Sequence, residues 1–356
     1  MKILHIAEFG LRKTGVGTVI ERLYNEQKLL GHNVRIATTS ENLAYKHLEI
    51  FNVGNPKNFS LLLNNWTPDI VMFHSIWCVP YIKMAKMLKE RNIPYAVMMH
   101  GANSLENYKK HKLKKWFANS LFFNKFMRDA ATIVYLSKKE YENCVSKNIN
   151  HDYDIIPNGC DIVDMDITAK TPNRPLHIIY LGRLVMHHKG LDFMLNALDI
   201  LKEQNFSDAI FQFYGNENDV DIDIIKNRLK SLDGLASYEG PAYGRKKAEV
   251  FSKADAFILT SRYEGMPMGV LEALSYGVPC ILTPGTNMAE DIAEAGAGWK
   301  TELDAHSIAN TIVSAVSDLS HNYYKKCESA YKIAKMYDWK TIALQHVEVL
   351  NRLIGK

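Results

Sequence analysis

The chain is poor in cysteine, and the five it has, Cys78, Cys144, Cys160, Cys280 and Cys327, are scattered with no CxxC spacing. That excludes a disulfide framework and a cysteine zinc site, and it points to a reducing, cytoplasmic compartment. No apolar run approaches the length of about 18 residues that a membrane span requires. The opening MKILHIAEF lacks the long apolar region and small-residue cleavage site of a signal peptide. Internal repeats of 20–50 residues and low-complexity tracts are also missing, which excludes solenoids and disordered linkers. No recognised DNA- or RNA-binding motif accompanies the basic residues, so nucleic acid is not an expected partner.

What is present is a soluble globular composition, 47% hydrophobic and 23% charged, over 356 residues. That length exceeds what one core usually organises, so two domains are expected. The net charge of +4 is unevenly spread. Residues 1–165 hold 22 Lys and Arg against 15 Asp and Glu, and the remainder 21 against 24. Much of the excess lies in Tyr108 to Arg128, YKKHKLKKWFANSLFFNKFMR, which has seven Lys or Arg and no acid. A positive first half suggests an anionic partner.

Short β-rich runs alternate with helical patterns in both halves, the signature of parallel sheets with crossover helices. The predicted strands are KILHIAE, NVRIATT, DIVMFH, YAVMMH, ATIVYLS and YDIIPN, then HIIYLG, IFQFYG, AFILTS and PCILTP. The join is placed in Asp164 to Pro175, where prolines and polar residues interrupt the periodicity. Two doubly wound α/β domains follow, with ligands expected beyond the carboxyl ends of the strands, in a cleft between the domains.

The candidate site residues sit at those strand ends. Gly15 and Gly17 precede a helix, whose first amides favour an anion. A third glycine and a closing acidic residue on the second strand are missing, so a dinucleotide site is disfavoured. His100, followed by Gly101, ends the fourth predicted strand, a position suited to chemistry or hydrogen bonding. In YLGRLVMHHKG, Gly182 leads to Arg183 and Lys189, a planar fork and a compact cation that suit a diphosphate. In YEGMPMGVLEA, Glu264 and Glu272 lie eight positions apart. A continuous helix would set them on one side, about 12 Å apart, spaced to grip two ends of one ligand. Arg262 to Gly265 is read as the turn and Met266 onward as a helix start, so the amides of Gly265, Met266, Met268 and Gly269 around Pro267 are expected to form a helix N terminus available to an anion. The Asp-x-Asp strings at Asp152–Asp154, Asp164–Asp166 and Asp219–Asp223 are expected to be incidental, and no metal is expected.

The combination GRL-x(4)-KG and, further on, E-x(7)-E in SRYEGMPMGVLEALSYGVPCILT resembles the retaining glycosyltransferases of family 4. MMHG, IPNGCD, AGAGW and the closing DWKTIALQHVEVLNRLIG extend the resemblance along most of the chain. It implies the GT-B fold, with residues 1–165 and a crossing helix at 338–356 on the acceptor side, and residues 172–337 binding a nucleotide sugar. It further implies that Arg183 and Lys189 hold the donor diphosphate, Glu264 the sugar hydroxyls and Glu272 the ribose. His100 would lie near the anomeric carbon, and Gly15 and Gly17 over the phosphates. PGTNMAED, at Pro284 to Asp291, departs from the double glycine of many relatives and leaves Thr286 and Asn287 without a role.

The expected activity is metal-independent, retaining transfer from a UDP-sugar to a glycan or lipid-linked saccharide in surface polysaccharide synthesis, with no cofactor. An epimerase, a phosphorylase or a non-catalytic nucleotide-sugar-binding protein on the same fold is the alternative. Tyr108 to Arg128 is expected either to lie on an anionic membrane, making the enzyme peripheral, or to pack its aromatics on the first sheet.

Overall fold

The computed structural model describes residues 1–8, 14–40, 45, 47–109, 116 and 119–355. It divides into two units, one of Met1–Gly159 with Trp339–Lys356 and one of Cys160–Asp338. The boundary precedes the proline-bearing stretch chosen from the sequence. That stretch is tied to the second unit: Lys170 Nζ donates to the carbonyls of Ala254 and Tyr276, and the Asn173 amide group donates to buried Asp255. Polar composition signalled a linker where buried hydrogen bonds make a strap.

The first unit is a seven-stranded parallel sheet. Its strands are β1 (Lys2–Ala7), β2 (Asn33–Thr38), β3 (Ile50–Asn52), β4 (Ile70–His74), β5 (Tyr95–Met98), β6 (Thr132–Tyr135) and β7 (Tyr153–Ile155), in the order β3-β2-β1-β4-β5-β6-β7. The strands alternate between two faces, both covered. Leu4, Ile6, Val71, Phe73 and Val97 enter one core with Phe59, Tyr81, Leu88 and Phe126. On the other face helix Gly15–Leu29 packs with helix Trp339–Leu353, each burying one stripe.

The second unit repeats the plan with six parallel strands: β8 (Leu176–Leu181), β9 (Ala209–Tyr214), β10 (Ala236–Gly240), β11 (Ala256–Leu259), β12 (Cys280–Leu282) and β13 (Gly298–Lys300). Their order is β10-β9-β8-β11-β12-β13. Sheet growth reverses between β1 and β4 in the first unit and between β8 and β11 in the second. Those are the points where open parallel sheets bind ligands. Strands β3, β10 and β13 were not predicted. They are edge strands of three to five residues, and a β-run that short carries little periodicity.

The basic aromatic segment is described only in part. Described parts are a helix at Leu105–Lys109, a wide turn at Asn119–Phe123 and a helix at Asn124–Arg128; residues 110–115, 117 and 118 lie outside the described residues. Phe123, Phe126 and Met127 are in the core, where Phe126 stacks on Tyr95 at 5.5 Å. Trp116, Leu121 and Phe122 are exposed. Among the described residues no helix is long and apolar enough to cross a membrane.

Candidate active site

In the second unit, β8 delivers Gly182 and the loop that follows. Tyr180 Oη donates to the Arg183 carbonyl at 2.6 Å. The Leu184 amide donates to Asp219 Oδ2 and the Met186 amide to Asp221 Oδ2, each at 2.7 Å. Two carboxylates of a string expected to be incidental thus hold the loop in shape. A signal was available: Asp219 and Asp221 follow β9, the strand beside β8, and carboxylates there can reach a neighbouring loop's amides.

The loop closes in one helical turn, Met186–Lys189, ended by Gly190 at φ +64°. A Cβ at Gly190 would lie 2.0 Å from the Thr260 carbonyl oxygen, so backbone conformation and space both require glycine. Thr260 Oγ1 donates to the carbonyls of Lys189 and Gly190 at 3.1 Å. This contact fixes Lys189 against the end of β11, where Glu264 waits.

Lys189 Nζ meets Glu264 Oε1 at 2.6 Å, and both side chains are only 12% exposed. Ser261 Oγ donates to the same oxygen at 2.7 Å. Burial pushes the Glu264 carboxyl up, but Lys189 and these hydrogen bonds outweigh it and hold it below the usual range. His188 stacks on Tyr263 at 4.4 Å and its Nε2 donates to the Tyr263 carbonyl at 2.8 Å. A carbonyl only accepts, so the His188 proton is on Nε2 and Nδ1 accepts from Arg183 Nη2 at 3.3 Å. Burial lowers the His188 pKa, and a neutral ring suits a position beside two cations. Arg183, His188, Lys189 and Glu264 are therefore one connected group.

Helix Met268–Ser275 begins at Met268, with Pro267 as its cap residue, two positions later than predicted. Glu264 lies before it in the turn, as read from the sequence, so the two glutamates do not share a continuous helix and the spacing such a helix would give does not apply. Asn287, at φ +61°, donates through Nδ2 to the carbonyls of Glu264 and Gly265 and shapes that turn. Its role was left open by the sequence. Met266 is buried, and a Cβ on Gly269 would lie 3.3 Å from the Leu181 carbonyl oxygen. The helix N terminus, with its unbonded first amides, is thus set against the end of β8. Glu272 is on this helix and pairs with Lys247 Nζ at 2.5 Å, a partner the sequence did not suggest.

In the first unit, Gly15 opens its helix, and Thr14 Oγ1 accepts from the Gly17 amide at 3.1 Å. A Cβ on Gly17 would lie 2.3 Å from Tyr45 Oη, so Gly17 has a packing reason and its amide is already engaged. His100 follows β5 in the left-handed region at φ +51°, with Gly101 at +76°. The two carboxylate oxygens of buried Glu140 accept from the amides of Gly101 and Leu136, clamping this turn. Burial raises Glu140 to about 7 against the opposing pull of those amides.

His100 ends a chain of rings. Register pairs His5 with Met72 and His74 with Met98. Two residues beyond Met72 is His74, and two beyond Met98 is His100; a step of two keeps the same sheet face. The rings therefore advance diagonally, His5 Nδ1 to His74 Nε2 at 2.9 Å and His74 Nδ1 to His100 Nε2 at 2.9 Å. Gln27 Oε1 lies 2.8 Å from His5 Nε2. Among the described residues no group of three or more His, Cys, Asp or Glu is arranged to hold a metal ion. The other aspartate pairs have structural contacts: Asp154 takes both bonds from Arg352 Nη2, and Asp166 caps a short turn.

Two parallel sheets, the second with a charged cluster at its switch point, are an arrangement that known proteins share. The model of Glycosyltransferase Family 4 matches residues 13–163, and that of Glycosyl transferases group 1 matches residues 175–318. An uncharacterized glycosyltransferase of Methanocaldococcus jannaschii is 23% identical over 245 residues, 62% of this chain and 57% of that protein. The Escherichia coli UDP-Gal:alpha-D-GlcNAc-diphosphoundecaprenol alpha-1,3-galactosyltransferase is 26% identical over 210 residues, 52% of this chain and 51% of that protein. HepE of Anabaena, solved in complex with UDP-glucose, superposes with a TM-score of 0.76 at 17% identity, covering 99% of this chain and 100% of that one. The chain belongs to the group 1, family 4 glycosyltransferases and has the GT-B fold.

Proposed function

We propose that this chain is a retaining, metal-independent hexosyltransferase that moves a sugar from a UDP-sugar to a lipid-linked saccharide in surface polysaccharide assembly. The observation that carries the reading is the buried Lys189–Glu264 pair, braced by His188, Arg183 and Ser261 at the switch point of the second sheet. Donor binding exchanges that contact for two others: Lys189 and Arg183 turn to the diphosphate, and Glu264 to sugar hydroxyls. The Met268 helix N terminus and Gly265 to Gly269 amides add positive field where charge grows on the departing phosphate oxygen. Gly182 lets the loop approach, and Glu272 takes the ribose hydroxyls, sharing them with Lys247. In the first unit, His100 offers a hydrogen-bonding group to a sugar hydroxyl of the substrate.

In the transfer step the bond from the anomeric carbon to phosphate oxygen breaks, and the bond to the acceptor oxygen forms on the same face. The acceptor's proton passes to the departing phosphate, so no carboxylate nucleophile is needed. Glu264 is already engaged by Lys189 and Ser261, which suits a binding role. UDP as carrier is supported by the UDP-glucose complex of HepE, and a lipid-linked acceptor by the E. coli relative. Exposed Trp116, Leu121 and Phe122 in a basic segment fit peripheral contact with an anionic membrane in the cytoplasm.

The test is a panel of UDP- and GDP-sugars with a diphosphate-linked saccharide acceptor in anionic vesicles. The expected outcome is turnover with one UDP-sugar, an α-linked product by NMR from an α-linked donor, insensitivity to EDTA, and co-sedimentation of the enzyme at low salt. An inverted product refutes the same-face mechanism. Turnover with GDP-sugars alone refutes the carrier, and no sedimentation refutes the membrane contact.

A further inference from the structure

The histidine chain of the first unit has a property that no single ring has. His5, His74 and His100 are joined by two ring-to-ring hydrogen bonds, and each bond needs one protonated and one bare nitrogen. His5 and His74 are fully enclosed, and burial pushes His5 down to about 4, His74 well below its ordinary value, and His100 to about 3. A fourth buried ring, His346, lies near enough to weaken protonation of His74 further, and neither of its nitrogens has a hydrogen-bond partner. All three rings of the chain are thus neutral at physiological pH, with one N–H apiece.

With one N–H per ring, the two bonds must run in the same direction. Either every Nε2 is protonated and the chain points from His100 inward, or every Nδ1 is protonated and it points outward. The group at the inner end makes the choice. That group is Gln27, wholly buried on helix Gly15–Leu29, whose Oε1 faces His5 Nε2 and whose Nε2 has no partner. A carbonyl oxygen only accepts, so it places a proton on His5 Nε2. His5 Nδ1 is then bare and accepts from His74 Nε2, and His74 Nδ1 accepts from His100 Nε2. The ring nitrogen left over, His100 Nδ1, has no partner among the described residues.

We propose that Gln27, His5 and His74 are positioning residues that fix His100 as the Nε2–H tautomer and so present its Nδ1 as a hydrogen-bond acceptor for a substrate hydroxyl. The substrate end of this statement rests on the proposed contact between His100 and the sugar; the tautomer does not. An acceptor nitrogen selects a donor sugar with a free hydroxyl at that position over one in which it is methylated or replaced by hydrogen.

The whole chain, labelled with ¹⁵N-histidine, is examined by ring ¹H–¹⁵N correlation between pH 6 and 8, with Gln27→Glu and Gln27→Met beside it. In the wild type, His5, His74 and His100 are expected as Nε2–H tautomers. Gln27→Glu, which still offers a carboxyl oxygen as acceptor at the same site, keeps that pattern. Gln27→Met, of similar volume without an acceptor, populates both tautomers at His100. It is expected to lower kcat on the order of tenfold with little change in donor KM, the size of one misdirected catalytic hydrogen bond. Gln27→Glu restores kcat. An Nδ1–H His100 in the wild type overturns the proposal, as does an unchanged single tautomer in Gln27→Met. The wild-type spectrum alone decides the matter if Gln27→Met does not fold. A changed tautomer with unchanged turnover supports the relay and refutes the contact between His100 and the sugar.

Discussion

The two units put opposite kinds of polar chemistry at equivalent places in their sheets. At the β1–β4 switch point the first unit gathers neutral imidazoles, hydrogen-bonded ring to ring. At the β8–β11 switch point the second gathers charges, with Lys189 against Glu264 and Arg183 alongside. Burial disfavours charge in both places, and the two solutions differ in how that cost is offset. Histidines shed their protons and are left with direction but no field. The Lys–Glu pair keeps its charges by mutual neutralisation and holds a field in reserve for an anionic ligand.

The sharpest way to break this comparison is to remove half of the charged solution. Glu264→Ala leaves Lys189 without its partner at 12% exposure, and Lys189→Ala does the converse. Each is expected to lower the unfolding free energy of the second unit by about 3 kcal/mol and turnover by on the order of 10³-fold. The double variant should be less destabilised than the sum, because it strands no charge. Urea titrations of the four proteins measure this, and additive losses would mean that the pair is not coupled. Glu264 also gives a direction in pH. Its folded pKa is held below the unfolded value, so its contribution is present above the ordinary carboxylate range and is lost as pH falls through the folded value.

The neutral solution fails at a different pH. Histidines whose folded pKa is depressed bind protons more readily when unfolded. Stability therefore falls as pH drops below about 6.5, and the loss continues down to their folded values. His5 is at about 4 when folded, and His100 and His346 at about 3. The first unit, with four such buried rings against His188 alone in the charged cluster of the second, should therefore lose more stability from about pH 6, with Glu140 offsetting part of the loss. His346 isolates the effect because it is buried and has no hydrogen-bond partner. His346→Leu removes it without breaking a ring-to-ring hydrogen bond, and should stabilise by about 3 kcal/mol at pH 5 and by about 1 kcal/mol at pH 8. Thermal melts at the two pH values read this, and equal shifts at both would show that its proton affinity is not depressed.

Which of these features the sequence announced follows from how local each one is. Arg183, Lys189 and Glu264 lie in the segments that follow β8 and β11, and those segments are legible because the apolar strand runs stop before them. Glycine between Lys189 and the next helix was legible for the same reason. His5 and His74 looked like ordinary strand residues. Their link to His100 depends on a two-residue stagger across three parallel strands, and register is not written in any one strand. Asp219 and Asp221 formed a visible string, but its meaning depends on which strand neighbours β8. Asn287 and Lys247 act through contacts more than 20 residues distant in sequence. The turn at Glu264 was legible, and the helix read from Met266 starts two positions later because Pro267 caps it and Asn287 shapes the turn before it.

The smallest effects come from the bracing of the charged loop, and they ask whether field or geometry limits the second unit. Asp219 Oδ2 accepts from the amides of Leu184 and Asn216, at 2.7 and 3.1 Å, whereas Asp221 accepts from the Met186 amide. Neither carboxylate is placed on the ligand, so their removal changes where Arg183 and Lys189 sit and leaves both charges intact. A hydrogen bond to a charged group contributes about 1.5–3 kcal/mol, much of it recovered when the freed amides meet water. Asp219→Ala is therefore expected to raise donor KM about tenfold and Asp221→Ala about threefold, with kcat changed less. Steady-state kinetics with the preferred UDP-sugar separate the two quantities. If kcat falls with KM unchanged, the loop sets the transition state rather than donor capture, and the charged site depends on fixed alignment as fully as the histidine chain does.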